Sequence, residues 1–499
     1  MNANYFSKYV VIVGIVLALS CSQLSSQATQ SSSAKNSLNQ SKNTHAISPY
    51  IYGMATYLFE DRVKEKTWKV KPPLFRFGGN TSERYNWKIN AWNTGADWHF
   101  MNVKASDSAN AIDSFMSENS SNGAASSVTI PMLGWISKDA TSKSYNAEKD
   151  ESNKELKIDP LKTSIAITPA YITEWVNHLK IKFNSNPHFY IIGNEPTLWH
   201  ETHRDVHPQK ATREEILEKF IGTAKLVRLA DAQAVIIAPS GWGYADLDFM
   251  TWFLPQVIAK EHELKTKLID VLDVHFYPQA EELKNPDQKN QATRKALFQS
   301  VRGLWDPDFK DNSWIADKMR FIPRFKELCA KNRPDLKFSI GEYNFRAEQD
   351  ISGALVQAEV LGIFAQFDLF MAQYWTIPPY ESYPYLAFAL MRGANPFKLK
   401  FQDNFIKADE NINNDNSFFV SQSADKKNTS ILAINKHFSD VKEFNFEAMQ
   451  GPSGIAKSGS KFRFCTLSEK TYPKFKCDNA KSPHLKLEPL SMGLLEILN

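Results

Sequence analysis

The stretch His188–Pro208 reads HFYIIGNEPTLWHETHRDVHP and turns from apolar to polar within a few residues. Its segment FYII has no polar alternation, which is typical of a strand covered on both faces of a parallel sheet. The segment is followed by Gly193, Asn194 and Glu195, and Pro196 has no amide with which to extend a strand ladder. The stretch therefore predicts a buried parallel strand whose end presents an amide and a carboxylate.

Seven further stretches share this apolar character, and several of them end in polar groups. They are YIYGMA (50–55), LFRFGG (74–79), VTIPMLGW (128–135), AVIIAPSG (234–241), IDVLDVHFY (269–277), KFSIGEYN (337–344) and LFMAQYWTI (369–377). Helical patterns lie between most of them, as in TPAYITEWVNHLKIKF, where Thr168 is a candidate helix cap. Eight strands joined by helices predict an α/β fold, a (β/α)8 TIM barrel, over residues 46–395.

The pattern changes after residue 395. Short strand candidates separated by Asp, Asn, Gly, Ser and Pro predict an antiparallel β-sandwich over residues 396–499; they are SFFVSQS, SILAINK, KEFNFEAM, KFRFCTL and HLKLEPLSMGLLEIL. No tryptophan follows Trp375, so a structural role for this domain is favoured over a sugar-binding one. Cys465 and Cys477 flank a short loop and are candidates for a disulfide in an oxidising compartment, whereas Cys329 is predicted to be a buried helical thiol.

The N-terminus predicts export. After Lys8, the run YVVIVGIVLALS is too short to span a bilayer and fits the apolar region of a signal peptide, residues 1–21. Cys21 favours a bacterial outer-membrane or periplasmic lipoprotein over a simply secreted protein, although Ala18 stands where such signals usually have Leu. Residues 22–45 are rich in Ser, Gln and Asn and predict a disordered tether. Contact with a membrane is expected only through this lipid anchor.

Composition excludes some partners. The 499 residues carry a formal net charge of only +4 and form no basic stripe, so we expect no nucleic-acid partner. The 12 Trp and 17 Tyr provide flat faces that suit sugar rings, although most tryptophans fill protein cores. We expect a monomer.

Two strand ends carry the strongest chemical signal. In a (β/α)8 barrel, residues at the C-terminal ends of the strands face the active site. Strand four ends in Asn194–Glu195 and strand seven in Glu342–Tyr343–Asn344. A retaining glycosidase needs two such carboxylates about 5–5.5 Å apart, one to protonate the leaving oxygen and one to attack the anomeric carbon. One glutamate alone would more often be a structural ion-pair partner, but the two together favour catalysis.

Further polar residues at strand ends predict support for this pair. Arg76, on strand two, is a candidate ion-pair partner that lowers the pKa of Glu342, and Tyr277 is a candidate hydrogen-bond donor to the same carboxylate. Asn194 is placed to bond the sugar 2-hydroxyl. His275 ends strand six and is expected to face the substrate.

Several aromatic side chains and one histidine are candidate sugar contacts. Trp135, directly after predicted strand three, and Trp375, on predicted strand eight, are the stronger choices. Trp199 and His203, in the loop after strand four, are expected to lie near the sugar.

The same loop imitates a metal motif. His200–Glu201–Thr202–His203 resembles HExxH but lacks one residue between Glu201 and the second histidine. A metal site of His203, Asp205 and His207 is disfavoured against a loop held by charge-assisted hydrogen bonds of Arg204, Asp205 and His207. We therefore predict no metal at the site and no required cofactor, while a structural calcium ion stays open.

Together, the motifs GNEPTLWHETHRDVHP, RFGGNTSERYNW, DVHFYP, EYN and ISPYIYG resemble glycoside hydrolase family 44 over residues 46–499. The resemblance implies a (β/α)8 barrel with a C-terminal β-sandwich, with Glu195 as acid/base and Glu342 as nucleophile. It also implies endo-acting hydrolysis of β-1,4-glucans, including carboxymethylcellulose and xyloglucan. Gly341 departs from the family pattern, which leads us to expect Thr before the nucleophile.

Three alternatives stay open on the sequence. The carboxylate pair does not distinguish a glucanase from a xylanase or mannanase of the same clan, because the choice of sugar depends on contacts outside the pair. A non-catalytic, glycan-binding surface lipoprotein would not need both glutamates. A zinc hydrolase is the most distant alternative.

Overall fold

The computed structural model describes residues 44–56, 64–106, 110–144, 159–184, 188–287, 289–408, 411–447 and 456–499. These residues belong to one compact unit, Asn36–Asn499. The predicted signal peptide and nearly all of the predicted tether lie outside the described residues. Within the described ranges, no helix combines the length and apolar character needed to cross a bilayer.

The elements of the described residues follow one another along the chain. The strands are β1 (Thr44–Ala46), β2 (Gly53–Thr56), β3 (Leu74–Phe77), β4 (Ala91–Asn93), β5 (Asn102–Lys104), β6 (Ala125–Ile130), β7 (Trp135–Ser137), β8 (Ser164–Ala166), β9 (Phe189–Ile192), β10 (Val235–Gly241), β11 (Val271–Val274), β12 (Lys337–Tyr343), β13 (Met371–Tyr374), β14 (Asn404–Ile406), β15 (Asn416–Gln422), β16 (Asn428–Asn435), β17 (Lys442–Asn445), β18 (Lys461–Ser468), β19 (Lys476–Ala480), β20 (His484–Leu487) and β21 (Ser491–Leu498). The helices are α1 (Lys64–Trp68), α2 (Ala111–Ser121), α3 (Pro169–Phe183), α4 (Trp199–Thr202), α5 (Arg213–Ala230), α6 (Leu247–Leu264), α7 (Gln291–Ser300), α8 (Phe321–Asn332), α9 (Ile351–Gln366) and α10 (Tyr383–Met391).

Eight parallel strands close into a barrel in the order β2-β3-β6-β9-β10-β11-β12-β13. The barrel closes where β13 pairs with β2, with Gln373 opposite Gly53 and Tyr374 opposite Met54. Each of the eight strands predicted for the barrel overlaps one of these eight. The predicted (β/α)8 barrel is therefore confirmed, with β9 as its fourth strand and β12 as its seventh.

One strand boundary was predicted wrongly. The stretch VTIPMLGW predicts a single strand, but β6 runs from Ala125 and ends at Ile130. Pro131 follows, and proline has no backbone N–H to donate to the ladder. Trp135 instead begins β7, which pairs antiparallel with β8 outside the barrel.

The barrel interior changes from apolar to polar toward the strand ends. A buried apolar layer holds Leu74, Phe189, Ile191, Ile237, Val271 and Met371. Side chains two residues apart on a strand share a face, so the next inward positions on β3, β11 and β13 are Arg76, Asp273 and Gln373. All three are fully or almost fully buried. The apolar layer thus supports a polar layer directly beneath the strand ends.

Two local predictions hold. The hydroxyl of Thr168 accepts a hydrogen bond from the backbone N–H of Tyr171, so Thr168 caps α3 as expected. Cys329 lies on α8 and is buried, and burial raises the pKa of its thiol to about 12.

The C-terminal region forms a β-sandwich, as predicted. Its larger antiparallel sheet has the order β1-β14-β15-β16-β21-β18-β19, and β17 pairs with β20 in a smaller ribbon. Phe418 of β15, Phe444 of β17 and Leu485 of β20 share one buried cluster between these layers. Cys465 and Cys477 face each other across β18 and β19 and are joined by a disulfide.

The edge strand of the larger sheet comes from before the barrel. Thr44 pairs with Ile406, and the His45 ring lies 2.8 Å from the carbonyl oxygen of Ala365. The prediction that these last two tether residues are disordered was therefore wrong, because their backbone completes the ladder of β14. The limits proposed for the two domains stay predictions.

Helix α9 joins the barrel to the sandwich. Residues Ile351–Ala365 are buried on every side, which is typical of a helix enclosed within a core. A β-carbon on Gly362 would lie 2.4 Å from Cδ2 of Phe419, so the glycine lets α9 and β15 approach closely.

We expect Gly362→Ala to lower the free energy of unfolding by about 1–3 kcal/mol, because overpacking forces α9 away from β15. The matched control is Gly222→Ala on α5, where nothing lies within 4 Å of the new β-carbon. This control should stabilise the protein by about 0.5–1 kcal/mol, since alanine favours helix more than glycine does. Urea unfolding measures both changes, and equal stability of the two variants would contradict this account of the junction.

Candidate active site

Backbone hydrogen bonds tie the ends of five neighbouring strands into one layer. The N–H beyond one strand end donates to a carbonyl at the next strand of the barrel. The bonds are Glu195 N to Ser240 O at 2.9 Å, His275 N to Gly241 O at 2.7 Å, Phe276 N to Glu342 O at 2.8 Å and Trp375 N to Tyr343 O at 2.9 Å. Residues distant in sequence therefore face the same space above the barrel.

The two glutamates singled out by sequence meet in this layer around His275. Nδ1 of His275 lies 2.8 Å from Oε1 of Glu195 and 3.6 Å from Oε2 of Glu342. One carboxylate oxygen of each glutamate and one ring nitrogen all lie within 4.8 Å of one another. The Glu195 side chain is 15% exposed and that of Glu342 only 6%, so Glu195 is the more accessible carboxylate.

Glu342 is held by two donors that the sequence predicted. Nη1 of Arg76 donates to Oε1 of Glu342, and the Tyr277 hydroxyl donates to Oε2 at 2.7 Å. Burial by itself raises the pKa of Glu342, but the neighbouring His275 and Arg76 charges and these hydrogen bonds outweigh burial and lower it. Nη2 of Arg76 also donates to Oδ1 of Asn194 at 2.8 Å.

His275 was expected to face the substrate, but it is fully buried between the two carboxylates. Burial by itself lowers the pKa of the imidazole, but the charge of Glu342 and the hydrogen bond and charge of Glu195 raise it above its usual value. Both oxygens of Glu342 are already engaged by Arg76 and Tyr277, so this cluster does not fit a metal centre despite its close spacing.

The turn after β9 directs Glu195 into the site. Gly193 adopts φ +78°, and a β-carbon there would lie 2.9 Å from Oε1 of Glu83. Glu195 itself has φ +45°, a conformation that is strained for a residue with a side chain. Sequence reasoning predicted the position of Glu195 but not this left-handed turn.

Buried Glu83 fixes the turn and was missed by the sequence analysis. Its carboxylate accepts backbone hydrogen bonds from Asn194 at 2.8 Å, Met132 at 2.9 Å and Leu133 at 3.2 Å. Burial raises the pKa of Glu83 to about 7, against the opposing effect of the three backbone donors. Nothing in RFGGNTSERYNW distinguishes Glu83 from a surface glutamate of a turn.

Two glycines after β3 make room for Arg76 and Trp375. A β-carbon on Gly78 would lie 2.4 Å from Cζ of Arg76, and one on Gly79, which has φ +81°, would lie 2.5 Å from the Trp375 ring. The guanidinium carbon of Arg76 lies 5.8 Å from the centroid of the same ring. Trp375 therefore lies beside the residues that hold Glu342.

Asp273 explains the glycine that precedes Glu342. Its fully buried carboxylate accepts hydrogen bonds from Ser240 at 2.6 Å and from Ser339 at 2.5 Å, and it lies 4.0 Å from Nε2 of His275. A β-carbon on Gly341 would lie 2.2 Å from Oδ2 of Asp273. The expected Thr could not occupy position 341 unless Asp273 moved.

Two predicted substrate contacts are wrong. Trp199 and His203 have no exposed surface, so neither can touch a sugar in the cleft. After Pro196 the chain turns into α4, and the Trp199 ring packs against that of His207 with 5.5 Å between centroids. Burial also lowers the pKa of His203 well below its usual value.

The rest of this loop is held as predicted, with one difference. Arg84 donates to both oxygens of Asp205, at 2.9 and 3.1 Å, and His207 lies 2.9 Å from Oε1 of Glu215. Arg204 instead places its guanidinium 4.7 Å from the centroid of the Phe100 ring. Asp205 and His207 therefore anchor the loop.

Trp135 occupies a different place from the one expected. It is half-buried on β7, where it packs against the barrel core, rather than standing at a barrel strand end. A groove of about 460 Å³ beside the site is instead lined by Tyr277, Asn344 and Trp314. Trp314 is 60% exposed and stacks on Trp242, with ring centroids 6.0 Å apart. The sequence did not single out Trp314, because DNSWIAD lies in a polar segment far from any strand.

Known proteins resemble the chain in its central region and in its whole fold. The family model "Glycoside hydrolase family 44" matches residues 91–280. Endoglucanase A of Paenibacillus lautus is 28% identical over 462 residues, which cover 82% of this chain and 65% of that protein. Beta-mannanase/endoglucanase A of Caldicellulosiruptor saccharolyticus is 29% identical over 399 residues, which cover 68% of this chain and 29% of that protein. The chain thus spans less than two thirds of the length of either relative.

Among solved structures, CelM2, a bifunctional glucanase-xylanase from a metagenome library, matches with a TM-score of 0.81. It is 26% identical, and the match covers 91% of this chain and 97% of CelM2. The match to this solved structure agrees with the barrel and the C-terminal sandwich of the chain. These matches support the assignment of the chain to glycoside hydrolase family 44.

Proposed function

We propose that the protein is a retaining, endo-acting glycoside hydrolase that cleaves β-1,4-glucan chains. The observation that carries this proposal is the approach of Glu195 and Glu342, whose carboxylates have oxygens within 4.8 Å of each other. Retaining enzymes hold the two groups about 5–5.5 Å apart, whereas inverting enzymes leave about 6.5–9.5 Å for a water molecule. The spacing supports direct attack by a carboxylate.

Glu342 is the proposed nucleophile. Arg76, His275 and Tyr277 favour its ionised form, and its carboxylate attacks the anomeric carbon to form a glycosyl ester. Glu195 gives its proton to the glycosidic oxygen as that bond breaks. In the second step, Glu195 takes a proton from water, and the hydroxide oxygen replaces Glu342 at the anomeric carbon.

The neighbours of the pair have separate tasks. Asn194 is oriented by Arg76 at Oδ1, by Glu83 at its backbone N–H and by Asn80, to which its Nδ2 donates at 3.3 Å; the second hydrogen on Nδ2 is the proposed donor to the sugar 2-hydroxyl. His275 donates to Glu195 and offsets the charge of both carboxylates when neither carries a proton. Asp273, 4.0 Å below His275, favours its charged form.

The substrate class rests on the shape of the site and on the relatives. The groove beside Tyr277 is open to solvent and carries an exposed tryptophan, which suits an internal segment of a polymer. The relatives bear the names endoglucanase, mannanase and glucanase-xylanase. We propose glucan and xyloglucan as substrates, with the polysaccharide as the binding partner and export as the route to it. The Cys465–Cys477 disulfide supports an oxidising compartment.

We expect Glu342→Gln to lower kcat on a soluble glucan by about 10⁴-fold or more, because the amide cannot form the glycosyl ester. Circular dichroism and thermal unfolding should show a folded protein. The matched control is Glu201→Gln, since Glu201 lies in the loop after Glu195 but is 70% exposed. Loss of activity in the control, or retention of activity in Glu342→Gln, would remove Glu342 as nucleophile.

Double displacement predicts that the β-anomer of the product is released first. Proton NMR during cleavage of cellopentaose by the wild-type protein follows the anomeric signals before mutarotation. Two inversions at the same carbon restore the starting configuration. Initial appearance of the α-anomer would establish single displacement instead.

Arg76→Lys should move the acidic limb of kcat/KM toward higher pH. In the wild type the pKa of Glu342 is lowered, so the nucleophile stays ionised as pH falls. Lysine cannot bridge Glu342 and Asn194 as the guanidinium does, so the pKa of Glu342 rises and activity is lost at a higher pH. We also expect kcat to fall by about 10²–10³-fold.

Arg84→Lys is the control for this pH shift. Arg84 is equally buried but pairs with Asp205 beneath the loop, away from Glu342. Its substitution should lower the melting temperature and leave the acidic limb in place. An unshifted limb in Arg76→Lys would show that Arg76 does not set the ionisation of Glu342.

A panel of soluble polysaccharides separates the proposed substrate from its alternatives. Carboxymethylcellulose and xyloglucan should lose viscosity faster than reducing ends accumulate, as expected for cleavage within the chain. Higher kcat/KM on xylan or mannan would favour the other activities of the clan. Binding of these polymers by the wild type without any release of reducing ends would favour a non-catalytic glycan-binding protein.

A further inference from the structure

A second cleft, of about 630 Å³, lies where the barrel meets the C-terminal sheet. One wall comes from residues 291–306, around the end of α7, and the other from residues 412–415 and 436–439 of the sandwich. Glu359 of α9 lies between the walls. The volume of the cleft is within the range of about 300–1,000 Å³ that is usual for ligand sites. None of the residues that line the cleft belongs to the candidate active site.

Two buried polar atoms of this cleft lack partners among the described residues. Glu359 is 1% exposed, and its Oε1 accepts from Nζ of Lys436 at 2.7 Å, but Oε2 accepts no hydrogen bond there. Nε1 of Trp305 is likewise buried and donates to no described group. An unsatisfied buried polar group costs about 1–3 kcal/mol, and more when it is charged. The cleft therefore offers an acceptor and a donor to a ligand that can satisfy both.

The charges of the cleft favour a neutral ligand. Three basic side chains and three acidic ones line it: Lys295, Arg302, Lys436, Asp306, Glu359 and Asp415. Arg302 and Asp306 pair at 2.8 Å, and Lys436 pairs with Glu359. Because the formal charges cancel, neither an anion nor a cation has a net attraction to the cleft.

The remaining lining combines amides with aromatic rings. Gln291 and Gln299 contribute donors and acceptors, and Phe438 stands beside Phe298 with 6.2 Å between ring centroids. Flat apolar faces next to amide groups suit the apolar faces and hydroxyl edges of pyranose rings. A sugar hydroxyl can donate to one group and accept from another, as Glu359 and Trp305 together require.

We propose that this junction cleft is a second carbohydrate-binding site that holds a short neutral oligosaccharide segment of the polymer. A hydroxyl donates to Oε2 of Glu359, another accepts from Nε1 of Trp305, and a pyranose ring rests on Phe438. The site retains the protein on its substrate and takes no part in bond cleavage. The choice of a β-1,4-glucan segment rests on the proposed function, whereas the sugar-binding character rests on the cleft itself. The sequence favoured a purely structural role for the sandwich, because no tryptophan follows Trp375. The proposed site gives the sandwich a role in binding as well.

Calorimetric titration of the full chain carrying Glu342→Gln with cellotetraose tests this proposal. We expect two molecules bound per chain, and one after addition of Phe438→Ala or Gln299→Ala. Gln299 is exposed, so its substitution leaves the fold intact even if Phe438→Ala does not. Val441→Ala, an exposed sandwich residue outside the cleft, is the control and should still bind two.

The same cleft variants with Glu342 intact should hydrolyse a soluble aryl cellobioside at the wild-type rate while migrating faster in gels that contain xyloglucan. A stoichiometry of one in Glu342→Gln would overturn the proposal, as would a stoichiometry of two that neither cleft substitution reduces. If the wild type hydrolyses none of the panel, the proposed function fails instead, and titration with xylotetraose and mannotetraose still tests the cleft. If only water occupies the junction cleft, each of the three oligosaccharides would bind at the active site alone or not at all, which gives a stoichiometry of one or zero.

Discussion

The fully buried guanidinium of Arg76 is the contact on which the site depends, because it joins three strands of the barrel. From β3 it bonds Glu342 on β12 and Asn194 after β9. Removing one partner of a buried ion pair costs about 3–5 kcal/mol, since the other charge is left uncompensated. The surrounding chain conforms to this requirement. Gly78 and Gly79 have no β-carbon, which allows the guanidinium and the Trp375 ring to pack against the backbone at the end of β3.

The two carboxylates differ because their surroundings differ. Glu342 is engaged at both oxygens by Arg76 and Tyr277, which favours a charged, fixed carboxylate and suits its proposed role as nucleophile. Glu195 has His275 at one oxygen and is more exposed, which leaves it access to a leaving group and to water. Pairs of acids whose environments diverge in this way can divide the roles of nucleophile and proton donor. Asp273 is buried beneath His275, so the difference between the surroundings of the two carboxylates continues into the barrel interior.

The sequence predicted correctly those features of the structure that depend on hydrophobic periodicity and on the residues at strand ends. Eight buried strands give the barrel, and the shared edge of a parallel sheet brings Glu195, Glu342, Arg76, His275 and Tyr277 together. The predictions that were wrong concern residues beyond a strand end, where the path of the chain decides which side chains are exposed. Trp199 and His203 are buried because α4 turns them inward, and Trp135 leaves the barrel at Pro131. Glu83 and Asp273 went unnoticed because their partners are far away in sequence, and only Asp273 explains Gly341.

The sandwich is part of the support for β12, the strand that carries the proposed nucleophile. Helix α9 follows β12 and is apolar on every side, so the barrel alone would leave one of its faces in water. The larger sheet covers that face, with Phe419 seated on Gly362. On the opposite side, Gln357 of α9 donates to the hydroxyl of Tyr343, the residue after Glu342, at 2.9 Å. Helix α9 therefore contacts both the sheet and the end of β12, and a sandwich without sugar-stacking tryptophans still contributes to the packing behind the strand that carries Glu342.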